Sequence, residues 1–354
     1  MGRRVHASAL PSQTWPASSP EEQGMDSEIL SQAAEQIGSK HINLRGVIVV
    51  RHGTIVLQKY FGSYAADRTQ DVYSVTKGVV AALIGIATDK GFIDSVSHKV
   101  LDYFPDLTIA NNDARKQAIT IENLLTMSSG LAWSDDTDIN SMMQSGSPQV
   151  QYILDLPMAA APGEKFNYDS GAPGLLCAIL KKATGMSPTD FANTYLFGPL
   201  GITDATWGTD PSGLETGGFG IQMSPRDLVA LGQLYLRRGE WNGLQVLPAS
   251  WVKASFANHI DPMMQSQKRS GYGYLLWLQT QGAVSFHGMG GQYITMVPAK
   301  DLEVVFTADL TGENFQQPYD VFESYILPAV KSDGPLPANP AGVARLEAAL
   351  EALP

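Results

Sequence analysis

The chain has 354 residues, 44% of them hydrophobic and 17% charged, enough to bury one large core or two smaller ones. Its formal charge of -11 repels nucleic acid and anionic membranes, leaving neutral or small molecules as the fitting partners. Cys177 is the only cysteine and sits in the apolar GLLCAILKKATG, which excludes disulfides within the chain and reads as a core thiol. No apolar run reaches the ~18 residues of a membrane span, and MGRRVHASALPSQTWPASSP lacks the apolar centre of a secretory signal. The expectation is a soluble protein, cytoplasmic as written or exported if a signal has been removed. Its compartment and oligomeric state are not legible.

After a polar Pro/Ser-rich lead, DSEILSQAAEQIG has helical periodicity, and RGVIVVRHGTIVLQKYFG gives two β-branched strands around a His52-Gly53-Thr54 turn. From about 74 to 255 the pattern is mostly helical. Thr120 before IENLLTM and Ser224-Pro225-Arg226-Asp227 before LVALGQLYLRRG mark helix starts. From 271 onward GYGYLLWLQ, AVSFHG, QYITMVP and LEVVFTAD read as short strands, with a Pro298 to Asp301 turn between the last two. VFESYILPAV and AGVARLEAALEAL then read as helices, the second partly detached behind DGPLPANP. Strands at both ends with helices between predict an α+β fold. One sheet would be built from residues 20–90 and 256–332, with a helical domain over 91–255 and a tail helix over 333–354.

The chemistry centres on DVYSVTKGVVAALIGIATDKG. A serine hydroxyl needs a base to become a nucleophile, and a buried lysine can be one. Ser74 and Lys77, three apart at a helix start, lie on one face a turn apart, near the positive end of the helix dipole. An S-x-x-K match is expected about once by chance in a chain this long, and Ser250-Trp251-Val252-Lys253 is a second match. That one heads a short polar helix, where capping explains the serine. Ser74 instead precedes a helix that is apolar nearly all round.

Two further elements accompany it. KFNYDSGAPGLL offers Tyr168 and Ser170 just before another apolar helix; a phenol beside an ammonium can act as general acid and base, although a rim tyrosine and a capping serine would read the same way. SFHGMGGQYITMVP sets glycines beside His287 at a strand, where a substrate can approach the backbone and amides can hold an oxyanion. The six histidines are scattered without an H-x-x-x-H pair, and no G-x-S-x-G elbow occurs. No metal and no cofactor are therefore expected.

In this order the elements resemble the serine β-lactamase and penicillin-binding-protein superfamily, in its class C-like branch with family VIII carboxylesterases and 6-aminohexanoate-oligomer hydrolases. Ser74-Val75-Thr76-Lys77 matches S-x-x-K, Tyr168-Asp169-Ser170 stands for Y-x-N or Y-x-S, and His287-Gly288-Met289-Gly290-Gly291-Gln292 stands for K-T-G. GVIVVRHGTIV, ITIENLLTMSSGLAW, YLFGPLGI and GGFGIQMSPRDLVALGQLYL resemble the same branch. The resemblance spans about residues 20 to 330.

It implies an antiparallel sheet flanked by terminal helices, an inserted all-α domain and a cleft between them. It also implies a Ser74 acyl-enzyme, with Lys77 and Tyr168 moving protons and the Ser74 and Met289 amides, or Gly290 in place of Met289, holding the oxyanion. Ser170, His287, Gly288 and Gly290 would support the site, with Trp133, Met142 and Met143 as apolar pocket wall or as core. The K-T-G lysine is replaced by Phe286 or His287, a poorer anchor for a substrate carboxylate. The expected substrates are therefore neutral short-chain esters or amides. The alternatives are a β-lactamase, a DD-peptidase, or a noncatalytic peptidoglycan-type binder.

Overall fold

The computed structural model describes residues 15–263 and 268–353; the beginning of the polar lead lies outside the described residues. Helix α1 (Ser27–Ser39) starts where the Asp26 carboxylate accepts from the amides of Glu28 and Ile29, satisfying donors that a first turn leaves open. Strands β1 (Leu44–Arg51) and β2 (Thr54–Tyr60) form the expected hairpin. His52 and Gly53, at φ 51° and 70°, supply the left-handed pair that a two-residue turn between twisted strands needs. The middle of the chain provides α2 (Val75–Asp89), α3 (Asp135–Gln144), α4 (Ala172–Thr184) and α5 (Pro225–Leu236). Thr120 and Ser224 each close a capping box at the predicted helix starts.

The later part of the chain adds β3 (Arg269–Tyr272), β4 (Trp277–Gln279), β5 (Val284–Gly288), β6 (Gln292–Val297) and β7 (Leu302–Ala308). All seven strands pair antiparallel in the order β2-β1-β7-β6-β5-β4-β3, so both ends of the chain build one sheet, as the sequence pattern suggests. GYGYLLWLQ is two strands rather than one. Leu275 takes φ 55° and Gly273 N donates to Leu276 O, which turns the chain before Trp277 re-enters the sheet.

Both faces of the sheet are covered, which is why its strands read as unbroken apolar runs. Along β1, Ile48 and Val50 join a core shared with α2, α4 and α5, while Val47 and Val49 join a second core with α1 and the C-terminal helices. The last helix, α6 (Pro340–Glu351), is not detached. Arg345 pairs with Glu28 of α1, Leu346 is buried, and Gly342 fits against Ser27.

The stretch of chain between β2 and β3 is mostly but not wholly helical. Gln70–Asp71, Thr206–Trp207 and Ile221–Met223 form a small sheet, and Glu240–Trp241 pairs with Leu244–Gln245. The expected all-α character does not hold for these segments, because strands of two or three residues are too short to leave a period-2 signal in the sequence. Among the described residues no helix is long and apolar enough to cross a membrane. No group of three or more His, Cys, Asp or Glu side chains among them is arranged to hold a metal ion.

Candidate active site

The start of α2 is built by its neighbours as much as by its own sequence. Val72 N donates to Ile221 O, Ile221 N donates to Thr76 Oγ1, and Tyr73 N donates to Asp71 Oδ1 at 2.7 Å. Tyr73 is held at φ 48°, a strained conformation for a bulky residue that delivers Ser74 to the cap position of the helix. The Ser74 side chain makes no capping hydrogen bond there; its Oγ accepts from Lys77 Nζ at 2.8 Å. Residues 75–87 of α2 are all buried. The absent side chain of Gly78 admits the Phe286 ring of β5, which a Cβ would overlap.

Lys77 is 1% exposed, and burying an ammonium is costly unless each of its donors is matched. Here all three are: Nζ donates to Ser74 Oγ at 2.8 Å, Ser170 Oγ at 2.9 Å and Gly218 O at 2.7 Å. Nζ also lies 4.8 Å from the centroid of the Tyr168 ring. The Tyr168 ring stacks on Trp277 at 5.5 Å and 23°, and Arg269 Cζ lies 3.6 Å from the Trp277 ring centroid. Ser170 is not the cap of α4. The cap position is Gly171, and just ahead of it Asp169 Oδ1 accepts from Gly171 N and Ala172 N. Burial lifts the Asp169 carboxyl to about 7, against the pull of those two amides. Ser170 instead donates from Oγ to Asp135 Oδ2 at 2.7 Å and from N to Asp135 Oδ1 at 2.9 Å, and Trp133 Nε1 donates to the same Oδ1 at 2.6 Å.

The third element arrives on β5. His287 makes an edge contact with Tyr293 at 4.6 Å and lies 2.7 Å from Gln279 Nε2 through its own Nε2. Burial, helped by the Arg269 charge, pushes its imidazole well below the ordinary histidine range, so at neutral pH it carries no charge. Phe286, one residue earlier on the alternating strand, points instead at α2. Gly288 has no side chain to collide with Val72 O, so the end of β5 closes on the segment just ahead of Ser74. Gly290 and Gly291 then turn at φ 78° and 91°, which glycine tolerates best. Within the described residues, neither the Ser74 amide nor the Met289 amide donates a hydrogen bond to the protein.

These elements share one cleft of about 1070 Å³, with Ser74, Tyr168, Ser170, His287, Gly288 and Met289 all in its wall. Gly290 is not part of that wall. Trp133, Met142 and Met143 do not line it. The Trp133 ring is buried against Gly171 and Tyr152 and pinned by its Asp135 bond, Met142 is buried in the core, and Met143 faces solvent. From α3 the cleft takes Asp135 and Ile139, and from elsewhere Phe219, Arg269, Trp277 and Tyr293. Sequence reasoning missed Asp135, Gly218 and Arg269. Ser250 is exposed and lies inside the first turn of its helix, whose cap is Pro248; the capping reading of that serine does not hold.

A serine hydroxyl 2.8 Å from a buried lysine at the wall of a cleft is a geometry that nucleophilic chemistry could use. The family described as Beta-lactamase matches residues 30–322, and the chain belongs to that family. It is 24% identical over 282 residues to the 6-aminohexanoate-dimer hydrolase of Paenarthrobacter ureafaciens, covering 73% of this chain and 70% of that one. Among solved structures, one from Bacillus anthracis assigned provisionally as a 6-aminohexanoate-dimer hydrolase superposes with a TM-score of 0.73 at 18% identity, covering 90% of this chain and 87% of that one. EstCE1, a hydrolase with promiscuous acyltransferase activity, superposes with a TM-score of 0.71 at 16% identity, covering 86% and 99%. The fold is the β-lactamase fold, and the protein is a serine hydrolase of that family.

Proposed function

We propose that the protein hydrolyses neutral short-chain carboxylic esters or amides through an acyl-enzyme on Ser74. The observation that carries this is the 2.8 Å contact between Ser74 Oγ and a buried Lys77 whose other two partners are fixed oxygens. Ser74 Oγ attacks the carbonyl carbon while its proton passes to the Lys77 amine, and the Ser74 and Met289 amides receive the developing oxyanion. Collapse expels the alcohol or amine, which takes a proton from Lys77 or from Tyr168 across the same cleft. Water then attacks the acyl group in the reverse sense and frees Ser74. Tyr168 makes no hydrogen bond to Lys77 or Ser74, so its part falls on the leaving-group side.

Neutral substrates are favoured because the group standing where relatives of the fold carry a lysine is an uncharged imidazole. The cleft does hold a cation elsewhere: Arg269 enters its wall from β3 and packs on Trp277. Similarity to the 6-aminohexanoate-dimer hydrolase supports amides alongside esters. The test is fluorophosphonate labelling read by peptide mass spectrometry, with turnover of p-nitrophenyl butyrate, a linear 6-aminohexanoate amide and nitrocefin. Labelling at Ser74 with ester or amide turnover well above nitrocefin is expected. Labelling without any turnover would instead make the protein a binder.

A further inference from the structure

A lysine with three hydrogen-bond partners can serve as a base for only one of them, and the protons around Lys77 determine which. Gly218 O can only accept. Ser170 Oγ could donate toward Lys77, but its proton is already engaged with Asp135 Oδ2 at 2.7 Å, and a carboxylate accepts only. Asp135 is fixed in turn by Ser170 N and Trp133 Nε1, both donating to its other oxygen. When Lys77 is the neutral amine, its two N–H bonds therefore go to Ser170 Oγ and Gly218 O. The lone pair is left facing Ser74 Oγ–H.

We infer that Asp135 is a positioning residue for this reaction: by holding the Ser170 proton, it directs the Lys77 lone pair onto Ser74. The inference rests on the reading of Ser74 as nucleophile and Lys77 as base. Asp135 also lines the cleft, so direct contact with substrate is the competing role.

Asp135→Asn keeps the shape of the side chain but reverses the polarity of one contact. With its oxygen held by the two N–H donors, the new amide points its NH2 at Ser170 Oγ. That hydroxyl must then accept, and its own proton turns toward Lys77 and occupies the lone pair. The rate constant of fluorophosphonate labelling, followed over hours so that slow variants stay measurable, is expected to fall about 10²-fold. KM for p-nitrophenyl butyrate should change by less than about threefold. In a Ser170→Ala background, where no hydroxyl remains to turn, the same substitution should change labelling by less than about threefold.

Equal losses in both backgrounds, or no loss in the Ser170 enzyme, would overturn the inference. So would complete loss of labelling in Ser170→Ala alone, since Ser170 is asked only to accept. Should Asp135→Asn fail to fold, Trp133→Phe frees the same carboxylate from one of its donors. It should slow labelling in the Ser170 enzyme and not in Ser170→Ala. Labelling that persists in Ser74→Ala would instead sink the underlying assignment of the nucleophile, whatever Asp135 does.

Discussion

The chain carries the Ser-x-x-Lys spacing twice, and the two copies differ in everything but spacing. At Ser74 the lysine is 1% exposed, bonded to three oxygens that come from three separate segments, and roofed by the Tyr168 ring. At Ser250 serine and lysine are both exposed on a seven-residue helix. Three-residue spacing on a helix only places two side chains on one face. Chemistry needs the desolvation and the partners that tertiary structure adds. The largest expected effect tests this directly. Ser74→Ala should abolish fluorophosphonate labelling and ester turnover with the thermal midpoint kept, whereas Ser250→Ala should leave all three unchanged. Near-normal turnover in the Ser74 variant would erase the distinction.

The next effect separates a tyrosine that moves protons from one that only covers the lysine. Tyr168→Phe retains the ring, its stack on Trp277 and its contact with Lys77, and removes only the hydroxyl. Stability should change by less than about 1.5 kcal/mol, while kcat for p-nitrophenyl butyrate should fall by about 10². A variant that loses stability and keeps its kcat would reduce Tyr168 to packing.

What the sequence revealed of this site divides along the same line. Ser74, Lys77, Tyr168, Ser170 and the His287-Gly288 turn were legible because each sits at a punctuated junction, where polar or glycine residues interrupt an apolar run. The structure brings Ser74, Tyr168, Ser170, His287 and Gly288 into the wall of one cleft and bonds Lys77 to Ser74 and Ser170. Asp135 was not legible because WSDDTDIN offers Asp135, Asp136 and Asp138 as equivalent first-turn acids, each suited to a helix dipole. Gly218 acts through its carbonyl, which no side chain announces. Arg269 looks like an ordinary edge-strand cation until the sheet order puts β3 and β4 beside β5. Trp133, Met142 and Met143 read as pocket wall or as core because apolar character suits both equally well. The β-sheet from both chain ends was readable from short β-branched apolar runs set between turn residues, but the strands of the two small sheets were too short to be.

A smaller effect concerns charge in the cleft. His287→Lys restores an ammonium at the position where the imidazole is held neutral, and Arg269→Gln removes the cation that packs on Trp277. Neutral esters should be favoured over nitrocefin in the parent enzyme, and His287→Lys should narrow that preference by about tenfold in kcat/KM. If Arg269→Gln alone depresses nitrocefin turnover by a similar factor, the anion is being read from β3, and the absent lysine does not explain the preference. Equal kcat/KM for nitrocefin and p-nitrophenyl butyrate in the parent would make β-lactamase the better description.

The last effect leaves activity aside and measures what burial beside Ser170 costs the fold, a cost that the exposed Ser250 helix does not carry. Asp169 is 1% exposed, its Oδ2 has no hydrogen-bond partner, and its carboxyl is lifted to about 7 from an ordinary 3.8. Between those two values the unfolded chain has already lost this proton while the folded chain keeps it. The folded state therefore binds more protons across that window, and stability falls as pH rises from about 4 to about 7, then levels off. The upper bound on that loss is about 4 kcal/mol. Asp169→Asn is neutral throughout and still offers an oxygen to the amides of Gly171 and Ala172. Urea midpoints of parent and variant should lie closest together near pH 4 and separate progressively up to pH 8, with the variant the more stable there. Parallel curves across that range would mean that Asp169 is ionised in the folded protein at no cost, and that the start of α4 tolerates a buried charge as readily as the start of α2.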